Sequence, residues 1–443
     1  MTHFGVLSYK GTGHLNPLMA LSRQLITRGH RVTFFLNAES EDRIRSHGLE
    51  VVPIGGSNSG PGERRPAVRA PKPSGGILAL RYRVRRTVGE MEMFLRETPQ
   101  VLNRAGVDTL IIDELALAGP TLAEMLRLPY FLISTSVPHN FGWAAPHNIA
   151  PAKSLFTRVQ NILLEVSVLR MKGPVRRRLD QFRREVGLRP IRHMRKVFPE
   201  LAHITQLPQC LDFPRPGLPS TFHYTGPFVD EAARGSLEFP WEQLDGRPLV
   251  YASLGTTLKC EPATFHLIAE ACDGLGVQLV ISLGGRRDPE TFQGMPGKPL
   301  VVRNAPQLEL LKRAEIVITH AGPNTVFETL LEGKPMIAIP KTFDQPAIAA
   351  RLAWLGAAIV LPSGKLSAKQ IRSALSAVLD DPSYRNATRE IQAKIRSARG
   401  LERAADLIEE ALETHTRVRT HFAALSHGEA LRDLSVPNHR LPG

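Results

Sequence analysis

A chain of 443 residues, 42% hydrophobic and 22% charged, has ample material for a core and exceeds one ordinary α/β domain, so two domains are expected. Its net charge of +14 is unevenly placed: Pro151 to Glu200 holds thirteen Lys or Arg against four acids, and a second basic run extends from Arg64 to Arg86. No run of about 18 apolar residues offers a spanning helix, and Met1 leads into the strand-like Phe4-Gly5-Val6-Leu7 without a secretory signal pattern, which points to the cytoplasm.

In chain order, the first strand is expected over Phe4 to Ser8 and is followed by Gly11-Thr-Gly13-His14-Leu-Asn16-Pro17, a sharp turn opening a helix. A dinucleotide fingerprint would need glycine where Asn16 stands, so NAD binding is discounted. The glycines instead bring His14 to the carboxyl edge of the sheet, where an imidazole can accept a hydroxyl proton if a partner orients it. Strands over Arg31 to Leu36 and Glu50 to Pro53 come next, then a Gly/Pro/Ser/Arg-rich loop from Gly55 to Gly76. Thr109 to Asp113 is a strand ending in a carboxylate at the same edge as His14, and Tyr130 to Ser134 is the next strand. Taken alone, His14 reads as a helix-start residue as often as a base, and Asp113 as a cap.

Tyr82, Phe141 and Trp143 are candidates to line an acceptor pocket. From Leu155 to Leu169 apolar residues recur at helical spacing just before Arg176-Arg177-Arg178, a pattern that suits core packing or a membrane interface. The basic half suits solvent, anionic lipid or nucleic acid; the lack of a reader motif and of aromatics among the arginines argues against nucleic acid. The Pro/Gly-rich stretch Leu207 to Gly226 reads as the connection, dividing residues 1–225 from 226–414, with 415–443 a polar, basic tail. In the second half strands are expected over Leu249 to Ser253, Gln278 to Ser282, Leu300 to Val302, Ile316 to Thr319, Met336 to Ile339 and Ala358 to Leu361. Cys210, Cys260 and Cys272 show no paired metal spacing and read as packing residues.

Two stretches of this half carry the chemistry. Ser253-Leu-Gly255-Thr256 is a Gly-containing turn after a strand, and Ile318-Thr-His320-Ala-Gly322-Pro-Asn324-Thr325-Val-Phe-Glu328 is a strand, a turn and a helix start near Asn324. Free N–H groups and the positive dipole end at such a start suit a diphosphate, with His320, Asn324 and Thr325 adding hydrogen bonds. Glu328, one turn on, can accept from a ribose diol. Asp344-Gln345, after the next strand, can hold sugar hydroxyls.

His320, Gly322, Asn324, Thr325, Glu328, Pro335 and Asp344-Gln345 resemble the donor signature of the UDP-glycosyltransferase family, with spacings of eight from His320 to Glu328 and sixteen from Glu328 to Asp344. Asn304-Ala-Pro306-Gln307 resembles its opening, where plant members carry a tryptophan that stacks on uracil; here an Arg303 plane can substitute. Tyr251-Ala-Ser253-Leu-Gly255-Thr256 and Gly13-His14…Pro17 look most like the bacterial branch of zeaxanthin glucosyltransferases and macrolide glycosyltransferases. The resemblance implies an α/β protein of the GT-B type, two Rossmann-like domains facing across a cleft. It also implies inverting transfer of a hexose, glucose above all, from a UDP-sugar to a hydrophobic alcohol. It assigns His14 as base, Asp113 as its orienting partner, and Gly13, Ser253, Gly255, Thr256, Arg303, Asn304, Gln307, His320, Gly322, Asn324, Thr325, Glu328, Asp344 and Gln345 to the donor. No metal or other cofactor is expected, because N–H groups can meet the leaving group's charge and no Asp-x-Asp pair occurs in a suitable loop. The competing readings are a UDP-sugar epimerase on the same fold and a basic membrane-binding module without catalysis.

Overall fold

A computed structural model describes residues 1–55, 76–138, 173–191, 201–213, 215, 218–230, 237–255, 262–285, 287–342, 344–414, 416 and 418. The 155–169 stripe, Phe141, Trp143 and Thr256 lie outside them.

The strands of the first half are β1 (His3–Leu7), β2 (Arg31–Asn37), β3 (Glu50–Ile54), β4 (Thr109–Asp113), β5 (Tyr130–Ser134), β6 (Ala202–Thr205) and β7 (Phe222–Tyr224). They form one parallel sheet in the order β3-β2-β1-β4-β5-β6-β7. Its helices are α1 (Thr12–Thr27), α2 (Glu41–Ser46), α3 (Gly76–Ala105), α4 (Gly119–Leu126) and α5 over 173–185. Strands β6 and β7 go beyond the expected five, and β7 lies in the stretch read as a connection. Ala-His-Ile-Thr is too short and too mixed to announce a strand, yet every residue of it is buried against β5.

The second half carries β8 (Leu249–Ser253), β9 (Gln278–Ser282), β10 (Leu300–Val302), β11 (Ala314–Thr319), β12 (Met336–Ala338) and β13 (Ala358–Val360), all parallel, in the order β10-β9-β8-β11-β12-β13. Helices α6 (Pro262–Cys272), α7 (Gln307–Arg313), α8 (Pro323–Leu331), α9 (Gln345–Trp354), α10 (Ala368–Asp380), α11 (Pro382–Ala398) and α12 (Gly400–Thr414) accompany it. Near-continuous buried runs in the central strands, such as Leu-Val-Tyr-Ala-Ser of β8, reflect a sheet covered on both faces.

The last helix does not stay with the second sheet. Ala404, Ala405, Leu407, Ile408 and Ala411 of α12 share a core with Phe4, Val6, Leu18, Leu21 and Phe34, so residues assigned by sequence to the second half complete the first. Gly226 and Gly400 mark where the two connections cross: a Cβ on Gly400 would lie 2.6 Å from the Gly226 carbonyl, so only glycine fits.

In each sheet the order reverses once, between β1 and β4 and between β8 and β11, where connections diverge and a crevice opens at the strands' carboxyl ends. Among the described residues, no helix is long and apolar enough to cross a membrane.

Candidate functional site

At the first reversal, β1 and β4 pair as far as Leu7 opposite Ile112, which sets the turn after β1 beside Asp113. Asp113 is fully buried and accepts from Ser8 Oγ (3.0 Å), the Tyr9 main-chain N–H (3.2 Å) and, through its other oxygen, the Leu115 N–H (3.0 Å). His14, in the first turn of α1, places Nδ1 2.8 Å from Asp113 Oδ2 and 2.8 Å from Thr135 Oγ1. With a carboxylate and a hydroxyl oxygen both at Nδ1, the hydrogen of the neutral ring belongs there, leaving Nε2 basic. Burial opposes protonation of the ring. The charge and hydrogen bond of Asp113, aided by Asp344 and Glu114, outweigh it and hold the pKa above its ordinary value. The Tyr9 ring stands edge-on to the imidazole at 5.3 Å. A Cβ on Gly13 would meet nothing within 4 Å.

At the second reversal, β8 and β11 pair with Ser253 opposite Thr319, which brings the Gly255 turn against His320. The His320 ring lies between two glycines: a Cβ on Gly255 would sit 2.6 Å from it, and one on Gly322 2.5 Å from Nε2. Burial pushes its pKa down to about 4, partly offset by Asp344 and the Ser253 main chain, so the ring is neutral near pH 7. Its Nδ1 is buried without a hydrogen-bond partner among the described residues. Ala321 takes a left-handed φ of 62°, a conformation unfavourable for a residue with a Cβ, and the chain then enters α8 through Gly322, whose N-cap offers no side-chain hydrogen bond. The first N–H groups of α8 are thus left for a ligand.

Not every expected donor residue is placed for direct contact. Gln307 Nε2 donates to Glu328 Oε2 at 2.5 Å while Tyr251 Oη donates to Gln307 Oε1 at 3.2 Å, so Gln307 positions the buried Glu328. Gln345 Oε1 accepts the N–H groups of Lys341 and Thr342, which spends its oxygen on its own loop. Asn324 turns its side chain away from the helix start: Nδ2 donates to the Gly13 carbonyl at 3.1 Å and Oδ1 accepts from Gln206 at 3.2 Å. Arg303 and Asn304 are exposed, with Arg303 3.7 Å from Asp288. Asp344 accepts from Ser136 Oγ across the cleft. Tyr82 lies half-buried on α3.

Thr135, Ser136 and Gln206 were not singled out in the sequence. Gln206 is a lone buried amide after a short strand, and the only signal for the others is the polar run Ser134-Thr135-Ser136 closing an apolar strand. Among the described residues, no cluster of three or more His, Cys, Asp or Glu side chains is arranged to hold a metal ion. In the basic region, Arg176 and Arg177 are both exposed; Arg176 reaches the Ile191 carbonyl and Asp180, and Arg178 pairs with Glu92 and Glu185.

A family model described as UDP-glucoronosyl and UDP-glucosyl transferase matches residues 92–409, and one described as glycosyltransferase family 28 N-terminal domain matches residues 6–138. The chain is similar to a zeaxanthin glucosyltransferase of Pantoea ananas, 30% identical over 424 residues that cover 94% of this chain and 97% of the relative. It is also similar to the oleandomycin glycosyltransferase of Streptomyces antibioticus, 25% identical over 425 residues, 92% of this chain and 90% of the relative. Among solved structures it resembles CalG4, the calicheamicin glycosyltransferase, with a TM-score of 0.74 and 23% identity over 93% of this chain and 98% of that one. The spinosyn rhamnosyltransferase SpnG complexed with thymidine diphosphate superimposes with a TM-score of 0.65 and 20% identity, covering 92% of this chain and 100% of that one. These likenesses place the two facing sheets in the GT-B fold.

Proposed function

The chain belongs to the UDP-glucoronosyl and UDP-glucosyl transferase family, and from that premise we propose that it transfers glucose from UDP-glucose, with inversion, to a hydroxyl of a lipophilic natural-product alcohol of carotenoid type. The observation that carries the reading is the pairing of His14 with Asp113 at 2.8 Å in a turn that touches the start of α8 through Gly13 and Asn324. His14 Nε2 takes the acceptor proton as the hydroxyl attacks the anomeric carbon, and Asp113 stabilises the imidazolium. The N–H groups at the start of α8, with neutral His320, receive the departing diphosphate. Glu328, oriented by Gln307, accepts from the ribose hydroxyls, and Asp344 from those of the sugar. Arg303 supplies the plane for uracil, and Tyr82 belongs to the acceptor side. The glucose and carotenoid assignments rest on the name of the Pantoea relative.

The enzyme is read as cytoplasmic, with its basic half docking on anionic lipid to reach the acceptor. Ion pairs already engage Arg176 and Arg178, so Arg177 is the member of that trio such docking uses.

The test is incubation with UDP-glucose and carotenoid, macrolide and flavonoid alcohols, read by mass spectrometry. A glucosylated carotenoid is expected. Glucosylation of a macrolide or flavonoid alone overturns the acceptor, and conversion of UDP-glucose to an epimer without any acceptor overturns the transfer reaction itself.

A further inference from the structure

The first turn of α1 and the first turn of α8 belong to different halves, yet they are joined by a closed ring of contacts around the base. Gln206 is buried (2% exposed) and uses both ends of its amide: Nε2 donates to the Thr135 carbonyl at 2.5 Å and to Asn324 Oδ1 at 3.2 Å, and Oε1 accepts the Phe228 N–H at 3.2 Å. Because Oε1 must face that N–H, the amide cannot be flipped, and Asn324 in turn must present Oδ1 to Gln206 and Nδ2 to the Gly13 carbonyl. Gly13 precedes His14, and Thr135 Oγ1 is 2.8 Å from His14 Nδ1. From Gln206 the base is therefore reached twice, through Thr135 and through Asn324 and Gly13.

The sequence of α1 explains why the Gly13 carbonyl is available. An α-helical carbonyl accepts from the N–H four residues on, and here that residue is Pro17, which has none.

On the glycosyl-transfer reading above, we propose that Gln206 is a positioning residue that fixes the start of the diphosphate-binding helix against the turn carrying the base, with Pro17 freeing the acceptor for the cross-cleft link. The Asn324 side chain is a tether between the halves, and its contribution to the diphosphate comes from the main chain. The device sets the distance between proton abstraction at His14 and departure of the leaving group at α8, and misplacement of reacting groups by about 1 Å can lower turnover by about 100-fold.

Two variants test this. Gln206→Glu keeps shape and the bond from Phe228 but sets a carboxylate oxygen against the Thr135 carbonyl and Asn324 Oδ1. Pro17→Ala returns an N–H that competes for the Gly13 carbonyl, and alanine favours the helix. With UDP-glucose and an alcohol that the wild type glycosylates, Gln206→Glu is expected to lower kcat by about 10- to 100-fold with little change in KM for UDP-glucose. Pro17→Ala is expected to lower kcat several-fold with Tm unchanged or raised. A purely structural role predicts the opposite for Pro17→Ala, undiminished kcat, and that result overturns the device. Independently of turnover, hydrogen exchange in the unliganded Gln206→Glu chain should quicken in peptides spanning 11–15 and 323–326. Unchanged exchange in both overturns the tether whatever the activity. A wild type that glycosylates no alcohol defeats the functional reading instead, and the exchange measurement then decides the tether alone.

Discussion

His14 joins local and distant chemistry: its turn is set by nearby glycines, but its basicity is set by a carboxylate ninety-nine residues on. If it is the base, His14→Ala should lower turnover by roughly 10²–10⁴-fold while UDP affinity in calorimetry stays near that of the wild type. An equally active variant removes His14 from the mechanism. The reaction needs the neutral ring, so kcat/KM should rise with pH as His14 loses its proton, on a limb displaced above the ordinary histidine value. Asp113→Asn removes the opposing charge and should move that limb to lower pH while lowering the plateau. The sign for stability is the reverse: with the folded pKa raised, the contribution of protonated His14 to folding is full below its unfolded pKa and is lost as pH climbs through the folded one. At Glu328, substitution by Gln should weaken UDP binding by about 1–3 kcal/mol and narrow any preference over TDP. Equal UDP affinity in both proteins would sink the ribose assignment.

The element that decides the donor site is the turn from β11 into α8. A histidine ring pressed between Gly255 and Gly322 can occupy that place only because neither glycine carries a Cβ. Gly322 has an ordinary φ of −68° and ψ of 135°, so alanine there adds no backbone strain and acts through His320 and the cap alone. Gly322→Ala is therefore expected to displace the His320 ring, weaken UDP binding and lower stability by about 1–3 kcal/mol, the usual scale of overpacking a buried site. Unaltered UDP affinity would show that the imidazole is not part of the diphosphate site. Acidification should leave the His320 ring neutral until pH approaches about 4, so activity lost before that point, as pH falls through the raised His14 limb, belongs to His14.

Across the whole molecule, the halves are held by more than the cleft. Asp212 bonds Arg215 (2.5 Å), Arg351 of α9 (2.8 Å) and Tyr224 (2.8 Å), and all but the tyrosine are buried. Burial disfavours the charged carboxylate, yet the two guanidinium groups hold its pKa below the usual range. The Arg351 guanidinium also lies 4.3 Å from the Phe213 ring centre. Asp212→Asn leaves two buried cations without their counter-charge and should destabilise the fold by about 3–5 kcal/mol, read as a lower denaturant midpoint. A midpoint within error of the wild type would mean that water or other groups already solvate the arginines. On the outer surface, docking of the basic half predicts flotation with anionic but not zwitterionic vesicles at about 0.15 M salt, weakened by further salt. Arg177→Gln should reduce it without touching UDP affinity, and protein left wholly in the soluble fraction defeats the docking reading.

What the sequence determined by itself is whatever neighbouring residues can encode. The alternation of strands and helices, the glycine turns at His14 and Gly255, and the His320 to Glu328 helix start are written in stretches of fewer than fifteen residues, because hydrophobic period and turn chemistry act at that range. Strands β6 and β7 escaped because four and three residues carry too little pattern, and only pairing, β6 with β5 and β7 with β6, makes them strands. Tertiary structure alone decided that α12 returns to the first sheet, that the Asn324 side chain reaches Gly13, and that Thr135 and Gln206 attend the base. His14 and Thr135 are 121 residues apart and Gln206 and Asn324 are 118 apart. A hydrogen bond over such a separation leaves no local mark on either partner, since each residue type is equally at home in a turn, and only the meeting of two independently formed sheet edges gives it a role.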